Sequence, residues 1–347
     1  CGAPESILCD AKPHAGTDRL HVMLQNLRRE LLDLGADLRF GHKLTDITVK
    51  DGALTALTVT AEDKCYTLPC RHCILALGHS SRDTVEMLYD RGVFMERKAF
   101  AMGVRIEHSQ HDLDVQQYRE FAGHPALPVS TYKLACHLPN GRSAFSFCVC
   151  PGGQVVAAAS EESRLVTNGM SAYARDGKNI NGALLVNITT DDFGSTHPLA
   201  GIELQRQLEN AAFRQGGSSY KAPCQRVEDF LARRPSTGPG AIVPSYRPGV
   251  VWGDLHDCLP DFIAETLELA LPILDRKLPG YAAPDALLTA VESRSSAPVR
   301  IPRDEAYQCN IRGLYPCGEG AGYAGGILSA AADGMRCAEQ IIGGLKP

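Results

Sequence analysis

No stretch of the 347-residue chain approaches the roughly 20 consecutive apolar residues that a membrane-crossing helix needs, so no membrane partner is expected. Basic charge is not in excess either. Against 35 Lys and Arg stand 40 Asp and Glu, giving a formal charge of −5 and a pI near 6.1, which argues against the basic stripe of a nucleic-acid partner. Internal repeats and low-complexity tracts are missing, and so are a Ser-His-Asp pattern and a paired-carboxylate signature. What is plentiful is cysteine. Thirteen is an odd number, and several lie in apolar strand-like runs such as Ser146-Phe147-Cys148-Val149-Cys150 and His72-Cys73-Ile74-Leu75. Buried free thiols in a reducing, cytoplasmic setting are the expectation. Cys1 at the start fits a trimmed sequence better than a lipid-modified terminus.

The most informative stretch lies near the end, from Gly313 to Gly334. A short apolar segment, Leu314-Tyr315-Pro316, runs into Cys317-Gly318-Glu319-Gly320-Ala321-Gly322-Tyr323-Ala324-Gly325-Gly326 and then into an alanine-rich run with apolar residues at Ile327, Ala331, Ala338, Ile341 and Ile342. That spacing predicts a helix. Glycines let a ligand approach the backbone, and a helix N-terminus offers unpaired N–H groups and partial positive charge to a phosphate. Residues 320–325 spell G-x-G-x-x-G, yet the dinucleotide fingerprint needs a complete βαβ unit and an acidic residue about 20 positions on. The second strand of such a unit does not follow before Pro347. The stretch is read instead as a closing strand, turn and helix that completes a cofactor site built mainly elsewhere.

Upstream, Thr17 to Leu34 carries an apolar stripe at Leu20, Met23, Leu24, Leu27, Leu31 and Leu34, with Thr17 or Asp18 as N-cap and Gly35 as stop. Strands are expected at Ala36–Phe40, Leu44–Lys50, Ala53–Thr60 and Cys65–Leu68, with Asp51-Gly52 as a hairpin turn, then at Arg71–Leu77 before a short helix at Thr84–Tyr89. From Phe100 the pattern becomes that of antiparallel hairpins, including Val129–Leu138, Ala144–Cys150, Gln154–Ala159 and Gly182–Thr189. Helices are expected at Leu199–Gln215 and at Asp261–Asp275, the latter interrupted by Pro272, with a Pro-, Gly- and Ser-rich surface loop over 233–249 between them. Cys65-x4-Cys70-x2-Cys73 imitates part of a ferredoxin spacing, but Cys65 and Cys73 fall in strands, whereas cluster ligands sit in loops. His108 and His111 are read as solvated loop histidines. No metal site is expected.

Gly318-Glu319-Gly320-Ala321-Gly322-Tyr323-Ala324-Gly325-Gly326-Ile327 resembles the C-terminal FAD-contacting motif of two-domain flavoproteins, and in particular of bacterial FAD-dependent dehydrogenases described as NAD(FAD)-utilising. Further matching segments are Lys12–Asp18, Leu77–Asp83, Cys150–Gly153 and Ser296–Ile301. Members of that family begin with a βαβ unit carrying G-x-G-x-x-G, which this chain does not show near its start, so it resembles the C-terminal two-thirds of such a protein. The implied fold class is α/β (α+β), an incomplete FAD-binding Rossmann-like domain with an inserted mostly-β substrate domain. Residues 1–97 and 285–347 would form the first and 98–284 the second.

The resemblance further implies a FAD-dependent oxidoreductase acting on a small-molecule substrate held between the two domains, with NAD(P)H as a candidate electron donor. The alternative is a non-catalytic nucleotide-binding or regulatory module. This chain alone is expected to bind FAD weakly or not at all. Gly318, Glu319, Gly320, Ala321, Gly322, Gly325, Gly326 and Ile327 would line the cofactor, with Glu319 accepting a hydrogen bond from the ribityl chain. Leu44 would touch adenine through its backbone, and Ala76-Leu77-Gly78 stands where relatives carry Ala-Thr-Gly. Two polar loops, Lys12–Asp18 and Glu292–Ser296, supply the chemical candidates: Arg294 and Lys12 as cations near the flavin or a substrate carboxylate, and His14 as proton donor or acceptor.

Overall fold

The computed structural model describes residues 1–10 and 14–345; Lys12, a catalytic candidate above, lies outside them. The fold is mixed α/β (α+β) and divides into two units. One comprises Cys1–Leu38, Met102–Asn187 and Arg206–Ser293, the other Arg39–Ala101, Ile188–Gln205 and Arg294–Pro347. The first 38 residues therefore belong with the middle of the chain, whereas the sequence reading grouped them with 39–97. The reason is local. Thr17 donates from its backbone N and from Oγ1 to the Ser171 carbonyl (3.0 and 3.1 Å), Asp18 Oδ1 accepts from Tyr173 N (2.8 Å), and His14 Nε2 lies 3.2 Å from the Ala172 carbonyl. A Cβ at Gly16 would sit 2.6 Å from Tyr173 Cα, so only glycine allows the approach.

The helix Thr17–Asp33 starts at Gly16 without a side-chain cap, because Thr17 and Asp18 are spent on that contact. Its apolar stripe is not buried: Leu24, Leu27, Leu31 and Leu34 are exposed. The centre of this unit is a seven-stranded mixed sheet in the order Val250–Trp252, Ala222–Arg226, Leu287–Glu292, Phe100–Ser109, Asn179–Ile188, Ser143–Cys150, Ala135–His137. Leu287–Glu292 and nearly all of Phe100–Ser109 are buried on both faces, as central strands covered on each side must be. The expected long strand Val129–Leu138 shortens to Ala135–His137. Helix Asp261–Lys277 runs straight through Pro272, and five of its seven buried residues are Ile263, Leu267, Ala270, Leu271 and Leu274. Apolar burial outweighs the one backbone bond that proline removes.

Two-sided burial puts polar residues inside. His108, read from sequence as a solvated loop residue, is at the buried end of its strand with Nε2 2.7 Å from the Tyr281 carbonyl and Tyr132 edge-on to its ring. Burial lowers its pKa to about 4, so the ring is neutral. Arg105, fully buried, donates to the Cys148 carbonyl and the Asn181 side chain and lies 3.6 Å from Glu292 Oε2. Burial pushes the Glu292 carboxyl from 4.5 up to about 7, with Arg105 opposing. A carboxyl whose folded pKa is raised contributes stability in full below its unfolded value, and that contribution is lost as pH rises through the folded value. Stability should therefore fall between pH 4.5 and about 7, by at most about 1.4 kcal/mol per pH unit for one proton. Glu292→Gln should flatten that fall in urea titrations run across this range. An equal slope in both proteins would show that Glu292 is not the group responsible.

The second unit holds a three-stranded meander, His42–Lys50, Ala53–Ala61 and Lys64–Pro69. Lys50 pairs with Ala53 across Asp51 (φ 49°) and Gly52 (φ 71°), the two left-handed residues of a tight hairpin turn. The segment 36–40 carries no strand, in contrast to the sequence expectation. Cys73–Leu75 pairs in parallel with Leu314–Pro316, and Glu96–Arg97 pairs with Val299–Arg300. Leu54, Leu88, Val93, Val299, Ile301 and Leu314 are central to its core. Among the described residues no helix is long and apolar enough to cross a membrane.

Candidate functional site

In the second unit the parallel strands Cys73–Leu75 and Leu314–Pro316 end side by side, Cys317 N donating to the Leu75 carbonyl at 3.1 Å. Each chain then turns through a left-handed glycine, Gly78 (φ 66°) and Gly318 (φ 72°). Ligands of open α/β sheets bind outside the carboxyl ends of such strands. The turns meet backbone to backbone, for a Cβ on Gly320 would overlap the carbonyl of Gly78. Gly322 (φ 85°) leaves 2.9 Å between such a Cβ and the Val299 carbonyl. These glycines serve the fold itself. Gly325 is different: its φ is not positive, and a Cβ there would meet nothing within 4 Å. Gly326 would meet only Ser329 Oγ, at 3.9 Å. The open space at these two consecutive glycines lies at the N-terminus of the helix Ile327–Leu345, whose unpaired N–H groups suit an anion.

The turn is clamped from below. Asp333, from the last helix, accepts from Gly318 N (2.8 Å) and from both terminal nitrogens of Arg303 (2.6 and 3.0 Å), while Arg303 also donates to the Pro316 carbonyl (3.0 Å) and stacks on the Tyr323 ring (3.7 Å). The Arg303 guanidinium holds the Asp333 carboxyl below its usual range. From the sequence neither residue had a role, although Asp333 lies in the segment Ser329–Gly334 that continues the flavoprotein-like motif. Cys317, Asp333 and Cys337 bring three ligating atoms within 4.8 Å of one another, but Arg303 already supplies the positive charge of that group. Burial pushes the Cys317 thiol up to about 12, and it stays protonated.

Around the glycines, burial raises the Glu319 carboxyl while Lys98 opposes, and His79 Nε2 lies 3.9 Å from Glu319 Oε1. Arg294 is 7% exposed and donates from Nη1 to Ser80 Oγ at 3.1 Å, so it joins the same 78–80 turn. Ala321 is buried, its carbonyl accepting from Ile301 N. Ile327 is 73% exposed, and Ala76 is exposed as well. Leu44 and Leu77 turn apolar side chains to the core. Lys98 and Arg303 gave no signal in the sequence because they come from segments distant from the glycines, whereas His79 lies in the matching segment Leu77–Asp83 but was given no role. His14 belongs to the other unit, where burial and then the Arg175 guanidinium lower its pKa.

Residues 99–295, more than half the chain, match a family described as FAD-dependent protein, C-terminal domain-like, and the chain belongs to that family. A protein of Clostridium beijerinckii, described as uncharacterized, is 49% identical over 343 residues. That match takes in 98% of this chain and 64% of the relative, so the chain spans less than two thirds of the relative's length. Among solved structures, an oxidoreductase from Methanosarcina mazei aligns over 91% of this chain and 53% of its own, at 10% identity and a TM-score of 0.34. The E. coli quinol fumarate reductase FrdA aligns over 94% of this chain and 49% of its own, at 12% identity and the same TM-score.

Proposed function

We propose that the turns at Gly78 and Gly318–Gly326 form part of the FAD site of a FAD-dependent oxidoreductase. The observation that carries this reading is the open backbone at Gly325 and Gly326 beside strands' carboxyl ends, in a chain of a FAD-dependent family. In this reading Gly325 and Gly326 admit the dinucleotide to the helix N-terminus, and Glu319 accepts a hydrogen bond from a ribityl hydroxyl. Ala321, Gly320 and Gly322 shape the turn, Ile327 covers the bound nucleotide, and the Leu44 and Ala76–Leu77 backbones contact it. Bound flavin supplies hydride transfer; the protein supplies position and charge. Arg294 offers a fixed cation beside the 78–80 turn, suited to a negative charge arising on cofactor or substrate. His14 is the proposed proton carrier, and NAD(P)H the proposed electron donor. Since the chain spans 64% of its relative, the activity proposed is that of the whole protein.

The test is Gly325→Val in the protein extended to the relative's length. Because nothing in the chain opposes a side chain at 325, thermal stability without cofactor should stay within about 0.5 kcal/mol, as for an exposed substitution. Flavin absorbance after purification should be lost. Full flavin content in the variant would remove this loop from the site. Flavin that is retained by the unsubstituted protein but not bleached by NAD(P)H without oxygen would favour a binding module.

A further inference from the structure

The first unit contains a cavity of about 1160 Å³ that the flavin reading does not use. Its wall is built from backbone. Gly177 N donates to the Gly152 carbonyl (3.1 Å), and Gly152 N donates to Gln110 Oε1 (2.8 Å). Ser171 Oγ donates to the Pro151 carbonyl (2.7 Å). Side chains at 152 and 177 would collide with the opposite loop, so both positions are glycine and the two loops lock together. Thr17 and Asp18 border the same cavity, which puts the polar loop singled out from sequence at its edge.

Most polar groups lining the cavity are already satisfied. Asp18 accepts from Tyr173 N, Asp114 from Ser130 N, Ser130 Oγ and Gln110 Nε2, while Ser245 and Asn179 donate to Glu107. Among the lining residues that are not exposed, Arg175 is the exception. Its Nε is buried without a hydrogen-bond partner, and no carboxylate among the described residues forms an ion pair with it. The charge reaches His14, whose ring it helps to hold below the ordinary range. A partly desolvated guanidinium without a counter-charge is costly and is ordinarily matched by an anion.

We propose that this cavity binds an organic monocarboxylate, its carboxylate in the fork of Arg175 and its carbon body against Met170, Ile242 and Val243. The planar fork matches a carboxylate in bidentate fashion. Those apolar wall residues, with Val129, would be wasted on an inorganic ion. The carboxylates Asp18, Asp114 and Asp176 outnumber the cations Arg175 and Lys178 in the lining, which disfavours a ligand with a second negative charge such as phosphate or a dicarboxylate. The proposal is independent of the flavin site, and so is its test.

The experiment is calorimetric titration of the purified chain with hexanoate, benzoate, succinate, hexanamide and inorganic phosphate. Hexanoate or benzoate should saturate one site, and hexanamide, the neutral isostere, should bind at least about tenfold more weakly. Arg175→Met should lose at least about tenfold in affinity, whereas Arg276→Met, at an exposed helical position, should not. If Arg175→Met fails to fold, Arg175→Lys keeps the charge without the fork and should bind measurably more weakly. In the unsubstituted chain, a bound carboxylate should also raise the His14 pKa seen by NMR, since it offsets the neighbouring positive charge. Equal hexanoate affinity with and without Arg175, no saturable binding of any monocarboxylate, or tighter binding of phosphate or succinate would each overturn the proposal.

Discussion

Asp333→Ala should destabilise the second unit by about 3–5 kcal/mol, the range for removing one partner of a buried ion pair and leaving the other uncompensated. Arg303 and Asp333 are 10% and 9% exposed, and the carboxylate satisfies Gly318 N as well as the guanidinium. Its loss strands a charge and a backbone donor at once. Asp333→Asn keeps an acceptor for Gly318 N and should cost less. Amide exchange in Leu314–Pro316 and the helix Ile327–Leu345 should accelerate by roughly two to four powers of ten at neutral pH. The pH dependence has a definite sign. The Asp333 carboxyl is held below its ordinary 3.8, so its contribution is present above that value and disappears as pH falls through the lower folded one. The difference between wild type and Asp333→Ala should therefore persist at neutral pH and shrink only below about pH 3.8. A difference under about 1 kcal/mol at pH 7 would mean that the clamp is solvated and contributes no more than a surface pair.

Local rules were legible in the sequence wherever a single segment decides its own conformation. Asp51-Gly52 pairs its strands as the turn chemistry requires, and the helices Arg82–Asp90 and Ala200–Gln215 contain or lie within the expected spans. The stretch from Leu314 into the last helix forms strand, glycine turn and helix in the anticipated order. The failures at the first helix cap, at His108 and at Arg175 share one cause, which is contact between segments far apart. Thr17 and Asp18 read as caps because nothing local reveals that Ser171 and Tyr173 will claim them. His108 read as solvated because the aromatic residues that enclose it, Tyr132 and Tyr281, lie 24 and 173 residues away. Arg175 sits in a turn with φ 52° and carries no motif at all; only the closing of two glycine loops around it makes it a binding group.

Within Gly318–Gly326, Gly320→Ala should be the most damaging single methyl group. Its Cβ would overlap the carbonyl oxygen of Gly78, with Gly78 C at 2.8 Å and N at 3.0 Å, so the obstacle is backbone on every side. A crowded side chain can rotate away; a turn whose left-handed φ of 66° places that carbonyl cannot move without breaking register at Leu75 and Cys317. Overpacking in cores typically costs about 1–3 kcal/mol, and the upper end is expected here because no rotamer change relieves it. For the same reason no second substitution rescues it, since Gly78 has no side chain left to trim. Gly78→Ala, with open space around its Cβ, pays only for its left-handed conformation, about 1 kcal/mol. The three glycines thus separate fold from ligand: Gly320→Ala should lower unfolding stability and flavin content together, Gly78→Ala should lower stability slightly, and Gly325→Val should affect flavin content alone. Urea denaturation and flavin absorbance on the same preparations check the series. If Gly320→Ala proved as stable as Gly78→Ala, the two turns would not be in backbone contact, and the cradle would have to be built differently.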